Sequence, residues 1–375
     1  MAAKKQRKIR VDLRKNRAPT ARRNDLTRAH QDDQLEGAPH ADDARMSGKG
    51  GRTRRRTIIG EVTDGDQVVR AVDASLCQPG RVLKAIGATQ CTVQDEATGA
   101  LYECSVRRML RTMASDERTA VVAGDRVLFQ PLDAKRGVIE RVEPRQGVLS
   151  RGHQYREHIL VANVTQVMIV ASLAEPHLKP ALIDRFLISA AKGGVSAAIC
   201  FNKADLVDLT ELQAVIGLYN RLGYPTVVTS IATGFGVERL RQQLRSQQTV
   251  FAGQSGVGKS SLLNAIQPGL ALRTGPISET SQKGKHTTRS AELRQLDFGG
   301  WVVDTPGIRQ MALWDVPAGE IEAHFREFRP FVPQCKYPNC LHMEETGCAI
   351  RQAVRDHFIT HLRYESYLRL VMGDE

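Results

Sequence analysis

The sequence is poor in aromatic residues, which make up 5% of its 375 positions and include two Trp. Such scarcity argues against broad base-stacking platforms for single-stranded nucleic acid. No uncharged apolar run reaches transmembrane length, and the N-terminus lacks the apolar core of a secretory leader, so membrane insertion and secretion are not expected. Cysteine is sparse and odd in number, at seven, with no C-x-x-C pair, which argues against a disulfide framework and for a reducing, cytoplasmic setting. Acidic residues are few at the start of the chain. Residues 1–56 hold 17 Lys and Arg against 7 Asp and Glu, so ten of the twelve formal net positive charges lie there. With few apolar side chains to offset its ordering entropy, this segment is expected to be a disordered basic arm. It would serve either phosphate-backbone contact or solubility.

What is present divides into three further units of a multi-domain α/β chain that is long enough to bury a full core. Residues 57–150 predict short strands at 57–62, 81–86, 90–94, 101–106, 126–130 and 137–142, separated by turn signals such as Gln78-Pro79-Gly80 and Gly124-Asp125. An OB-like β-barrel suits that spacing. Between two of its strands, Arg107, Arg108 and Arg111 could meet RNA phosphates or form a solvated loop.

From 151 to 314 the pattern alternates: strand 164–171, helix 180–192, strand 195–201, helix 210–222, strand 226–229, helix 236–245. A parallel sheet with helices on both faces follows. The β-prone run Thr249, Val250, Phe251 then leads into Gly253-Gln254-Ser255-Gly256-Val257-Gly258-Lys259-Ser260-Ser261 and an apolar helical face of Leu262, Leu263 and Ile266. This is the strand, loop and helix of a P-loop. Its glycines permit positive φ, so that successive N–H groups can surround phosphate oxygens. Lys259 would reach the β and γ phosphates, and the Ser260 hydroxyl would ligate Mg²⁺.

A strand ending in Asn202-Lys203-Ala204-Asp205 adds a preference for guanine, because a carboxylate accepts from the ring N–H and exocyclic amine that adenine does not present together. Thr229-Ser230-Ile231 closes the next strand and is placed to supply a backbone N–H to the base, with Ser230 counted among the nucleotide-binding residues. Beyond the P-loop, Gly284-Lys285-His286-Thr287-Thr288 offers one of two threonines as a second hydroxyl ligand of Mg²⁺. Strand 301–303 ends in Asp304-Thr305-Pro306-Gly307, where Asp304 would hold Mg²⁺ and the Gly307 N–H would meet the γ-phosphate.

Near the end, Cys335-x4-Cys340-x-His342-x5-Cys348 supplies three thiolates and an imidazole, enough for a closed tetrahedral Zn²⁺ site; buried reduced cysteines are the alternative. One structural zinc would staple a segment, 315–375, that is too small for a core of its own. Helical stretches are expected at 320–328 and 349–370, with Tyr364 and Tyr367 as packing residues.

The order of these motifs, guanine segment first, P-loop second and Asp304 loop third, resembles the circularly permuted GTPases, and within them those that depend on the small ribosomal subunit. The resemblance also covers Val122-Ala123-Gly124-Asp125-Arg126-Val127, Ala162-Asn163-Val164-Thr165-Gln166-Val167 and the closing Cys/His cluster. It implies an OB barrel, a permuted GTPase domain and a small α-helical zinc-binding C-terminal domain. It further implies binding of GTP and GDP with Mg²⁺, binding of the small ribosomal subunit with its rRNA, and a role in the subunit's late maturation; a monomer is expected. GTP hydrolysis would be stimulated by the subunit. Ile308 follows Gly307 where many GTPases carry a water-orienting Gln, and an aliphatic side chain cannot orient water. His286 is the nearest polar candidate for that catalytic role. Ile308 also keeps open a non-hydrolysing reading, a GTP-gated RNA-binding scaffold.

Overall fold

The computed structural model describes residues 6–13, 54–62, 68–73, 75–87, 89–107, 110, 120–153, 156–270, 291–304 and 318–373. Strands β1 (Gln6–Leu13), β2 (Arg54–Val62) and β3 (Val68–Arg70) form a three-stranded antiparallel sheet. This corrects two sequence expectations. The arm is not wholly unstructured, because Ile9, Val11 and Leu13 alternate with polar residues and give a strand period that composition alone conceals. Segment 57–62 joins that sheet instead of the barrel, and the division at 56/57 falls inside β2.

The barrel consists of β4 (Gln78–Ile86), β5 (Gln90–Asp95), β6 (Leu101–Val106), β7 (Arg126–Pro131) and β8 (Arg136–Val142). Their order is β4-β5-β6-β8-β7, closed by β4 against β7, with β6 and β8 parallel; that is OB topology. Alternating inward residues fill it: Val82, Val93, Val127, Phe129 and Ile139 are all buried. Strands β9 (Leu149–His153) and β10 (Arg156–Val161) form a hairpin across the expected 150/151 division.

The next unit is a sheet of β11 (Gln166–Ser172), β12 (Ser196–Asn202), β13 (Thr226–Val228), β14 (Gln248–Ala252), β15 (Glu292–Gln295) and β16 (Trp301–Asp304). Their spatial order is β13-β12-β11-β14-β16-β15, parallel except for β15. Strand β11 is buried along its full length, as a central parallel strand covered on both faces must be. Its Val167, Ile169 and Ala171 meet helices α1 (Pro180–Lys192) and α2 (Leu209–Arg221), whereas Met168 and Val170 meet α3 (Val237–Leu244) and α4 (Lys259–Ile266). The strands therefore end together at one edge of the sheet, between two helical layers.

Barrel and sheet are fastened along β4. The Arg81 guanidinium lies over the Trp301 ring, 5.5 Å from its centroid, and donates to Gln248 Oε1 at 3.2 Å. Lys84 pairs with Glu292 at 3.3 Å. Gly124, at φ +88°, packs so closely that a Cβ would lie 2.1 Å from the Ala162 carbonyl oxygen. The Asn163 amide donates to the Gly124 carbonyl at 2.9 Å. Beside it, fully buried Asp125 accepts from Arg145 at 2.8 and 3.0 Å, a bidentate pair.

The last unit holds α5 (Ala318–Ile321), three 3₁₀ turns at Glu322–His324, Arg326–Phe328 and Val332–Gln334, α6 (Ala349–Arg355) and α7 (His361–Met372). The expected helix at 320–328 thus breaks into short turns, and that at 349–370 breaks at 356–360, where His357 takes φ 61°. Phe325, Phe328, Ile350 and Tyr367 form its core. It grips α1 through Arg363, which pairs with Asp184 and, at 2.5 Å, with Glu327.

Candidate functional site

Strands β11, β12, β14 and β16 bring their carboxyl ends to one edge, the place where open parallel sheets bind ligands. The loop after β14 turns on Gly253 (φ 138°), Gly256 (φ 84°) and Gly258 (φ 97°), and α4 begins directly behind it at Lys259. At Gly253 a Cβ would lie 2.1 Å from the Val170 carbonyl oxygen, and at Gly258 2.4 Å from Asn202 Nδ2. Both positions therefore need glycine for φ and for space. Val257 is buried in the helix–sheet core, whereas Ser255 and Gly256 are exposed and Gln254 is half-buried. Lys259 Nζ donates to the carbonyls of Gly253 and Gln254 at 2.7 and 2.6 Å, so its ammonium lies inside the loop. Ser260 and Ser261 stand in the first turn of α4. An array of N–H groups, a helix start and a lysine is a built environment for phosphate oxygens.

The guanine segment is joined to this loop. Asn202 is 1% exposed; its amide donates to the Val257 carbonyl at 2.9 Å and accepts from Thr229 Oγ1 at 3.1 Å. Asn202 thus acts here as a brace, leaving Asp205 as the exposed group at the edge. Ser230 Oγ donates to Asp205 at 2.5 Å and orients that carboxylate. Within the Thr229-Ser230-Ile231 segment, the Ser230 N–H donates to the Phe235 carbonyl at 3.0 Å and that of Thr229 to the Phe201 carbonyl at 2.8 Å. Lys203 occupies the left-handed region at φ 67° and donates to the Glu175 carbonyl.

On the far side of the P-loop, Asp304 ends β16, whose Val303 pairs with Val250 of β14, so its backbone stands next to the start of the phosphate loop. Residues His286, Thr287, Thr288, Gly307 and Ile308 lie outside the described residues. A small pocket opens between the P-loop and the start of α1, lined by Ser172, Pro176, Leu178, Leu182, Phe186 and Gln254 among others.

A second centre lies in the C-terminal unit. The ligand atoms of Cys335, Cys340, His342 and Cys348 all fall within 4.8 Å of one another. His342 Nδ1 is 3.6 Å from Cys335 Sγ and 3.4 Å from Cys348 Sγ. A tetrahedral zinc with Zn–S of about 2.3 Å and Zn–N of about 2.0 Å separates N from S by about 3.5 Å, so the donor set fits that ion. Burial pushes the Cys340 thiol up to about 12 and also raises Cys348, so a metal would have to displace their protons. Cys348 additionally caps α6, its sulfur accepting from the Arg351 N–H at 3.5 Å. Tyr364 and Tyr367 pack as expected and also hold the ligand loop, donating to the carbonyls of His342 and Leu341 at 2.7 and 2.9 Å.

Sequence reasoning missed the residues that brace these groups. Val170, Glu175 and Glu322 act across large sequence separations, and no linear spacing announces them.

Comparison with known proteins gives a consistent result. The sequence model described as RsgA GTPase matches residues 142–314. The chain is 42% identical over 277 residues to the small ribosomal subunit biogenesis GTPase RsgA of Gemmatimonas aurantiaca, covering 72% of this chain and 90% of the relative. To the RsgA of Thermotoga petrophila it is 40% identical over 282 residues, covering 74% and 91%. The crystal structure of YjeQ from Thermotoga maritima superposes with a TM-score of 0.66 at 37% identity, covering 80% of this chain and 98% of that one. YloQ, described as a circularly permuted GTPase, superposes with a TM-score of 0.62 at 29% identity, covering 81% and 97%.

Proposed function

Because the chain belongs to the RsgA GTPase family, we propose that it hydrolyses GTP to GDP and phosphate in the biogenesis of the small ribosomal subunit, at a late stage and with stimulation by that subunit. The observation that carries this reading is the brace between guanine segment and P-loop: Asn202 bonds the Val257 carbonyl where Gly258 leaves room for its amide. One site thereby reads a purine edge and a phosphate chain together.

In this reading Asp205, steadied by Ser230, accepts from the guanine edge and Ile231 offers its N–H. The N–H groups of residues 253–261 and the Lys259 ammonium hold the phosphates. Ser260, Asp304 and one of Thr287 and Thr288 would hold Mg²⁺, which neutralises charge developing on the β and γ phosphates. Gly307 would meet the γ-phosphate and His286 would position water. Cys335, Cys340, His342 and Cys348 would hold one structural zinc. The partners would be the small subunit and its rRNA, met by a monomer in the cytoplasm. Among the described residues no helix is long and apolar enough to cross a membrane.

Nucleotide selectivity tests the reading. Equilibrium binding should favour GTP over ATP by orders of magnitude in wild type. Asp205→Asn should abolish that preference, because it replaces one acceptor of the guanine edge with a donor. Equal affinity of the wild type for both nucleotides would reject the assignment.

A further inference from the structure

The four metal-ligand candidates leave one contact of the C-terminal unit unaccounted for. His342 turns Nδ1 toward the sulfurs of Cys335 and Cys348, and its other nitrogen, Nε2, lies 2.6 Å from Glu322 Oε2. The imidazole is 1% exposed and the Glu322 side chain 29% exposed. We propose that Glu322 is the positioning residue of the metal centre, the carboxylate that fixes the tautomer and orientation of His342 for zinc. This rests on the reading that Cys335, Cys340, His342 and Cys348 hold that ion.

A carboxylate only accepts, so the proton of a neutral imidazole bonded to it must sit on Nε2. The lone pair is then on Nδ1, the atom that faces the sulfurs. With the proton on Nδ1 instead, the ring would present an N–H to the metal position and two acceptors would oppose each other at 2.6 Å. The rest of the surroundings permits no easy escape. His342 sits at φ 60° with its carbonyl bonded to Tyr364, and its ring is held between Phe328, edge-on at 6.2 Å, and Tyr367 at 6.0 Å. Ring packing sets the plane, and among the described residues Glu322 is the carboxylate that bonds Nε2, opposite the sulfurs that face Nδ1.

Glu322 does not belong to the ligand loop. It comes from the 3₁₀ turn Glu322–His324, immediately after α5. On that helix Glu320 pairs with Lys192 of α1 at 3.4 Å. The residue that orients the metal ligand therefore lies in the segment by which the chain enters the C-terminal unit, and metal loading ties that entry to the ligand loop. A carboxylate bonded to the far nitrogen of a ligating imidazole raises the ligand's basicity, and its loss commonly costs about 10- to 100-fold in metal affinity.

Zinc affinity of the full chain, measured by competition with a chromogenic chelator, tests the proposal, alongside the absorption spectrum of the cobalt(II)-loaded protein. Glu322→Leu should weaken zinc about 10- to 100-fold and alter the cobalt bands. Glu322→Gln, whose amide oxygen still accepts from Nε2–H, should stay within about threefold of wild type, and Glu320→Leu on the neighbouring helix should change nothing. Wild-type affinity and an unchanged cobalt spectrum in Glu322→Leu would overturn it. Nitrogen NMR of the zinc-loaded wild type with labelled histidine gives an independent reading that needs no variant. Nε2–H with Nδ1 bound to metal is expected for His342, and the opposite tautomer would overturn the proposal. Failure of the wild type to bind zinc at all would remove the metal centre itself, an outcome distinct from zinc that binds without regard to residue 322.

Discussion

Asn202 and Gly258 are complementary at atomic scale: the amide of one lies where the side chain of the other would begin. Replacing Asn202 with Ala removes the donor to the Val257 carbonyl and one partner of the Thr229 hydroxyl, which keeps Cys200 Sγ at 3.3 Å, so the loss of the buried contacts costs about 1–3 kcal/mol. GTP affinity measured by fluorescence titration should fall about 10-fold or more, since 1.4 kcal/mol corresponds to a factor of ten. Gly258→Ala should be more severe, because a Cβ would stand 2.4 Å from Asn202 Nδ2 at a φ of 97°. Wild-type GTP affinity in both variants would contradict the brace. Ser230→Ala provides a finer probe: with Asp205 freed from its 2.5 Å partner, discrimination of GTP against ATP should weaken while general phosphate binding persists.

At the scale of elements, the contact between α1 and α7 centres on Arg363, which is 2% exposed, against Asp184, 1% exposed, and Glu327. Burial opposes the charge on Arg363, but the two carboxylates outweigh it and raise the guanidinium's pKa. The ring of Phe325 lies 4.3 Å from the same guanidinium. Arg363→Met leaves Asp184 buried without its counter-charge, which should destabilise the docked C-terminal unit by about 3–5 kcal/mol. Limited proteolysis should then release that unit from the remainder. The double variant Asp184→Leu/Arg363→Met should recover much of the loss, since matched apolar groups replace the pair. Protection of Arg363→Met equal to wild type would contradict the clamp.

Contacts of this kind mark the limit of sequence reading. The P-loop, the guanine segment and the cysteine cluster are legible because each packs its chemistry into fewer than about fifteen consecutive residues with fixed spacing. The barrel strands are legible from period-2 alternation and turn residues. By contrast, Asp184 and Arg363 look like ordinary charges on two amphipathic helices, and only the docked fold makes them partners. Glu322 shares no spacing with the ligand loop. Strand β1 was concealed by the basic composition around it, because its alternation acquires meaning only through pairing with β2 some forty residues on.

Across the whole molecule, the central sheet connects all three units. Strand β15 pairs with β16, beside the P-loop strand, and touches barrel strand β4 where Lys84 meets Glu292. The C-terminal unit rests on α1, whose first turns, on either side of Asp184, also line the pocket beside Gln254. A nucleotide at the sheet edge is therefore within one or two elements of both flanking units, as a factor that reports its nucleotide state to a large partner requires. Ile308, unable to orient water, leaves a catalytic role for His286 and for groups supplied or ordered by that partner. His286→Ala should accordingly lose subunit-stimulated turnover while retaining GTP affinity; unchanged stimulated turnover would reject His286.

The most direct measurement is steady-state hydrolysis of GTP, with ATP as the control, in the absence and presence of purified small ribosomal subunits. Slow turnover of GTP alone, strong stimulation by the subunit and no response with ATP are the expected results. GTP-dependent binding to the subunit with no stimulated turnover would contradict the account and leave a nucleotide-gated scaffold in its place.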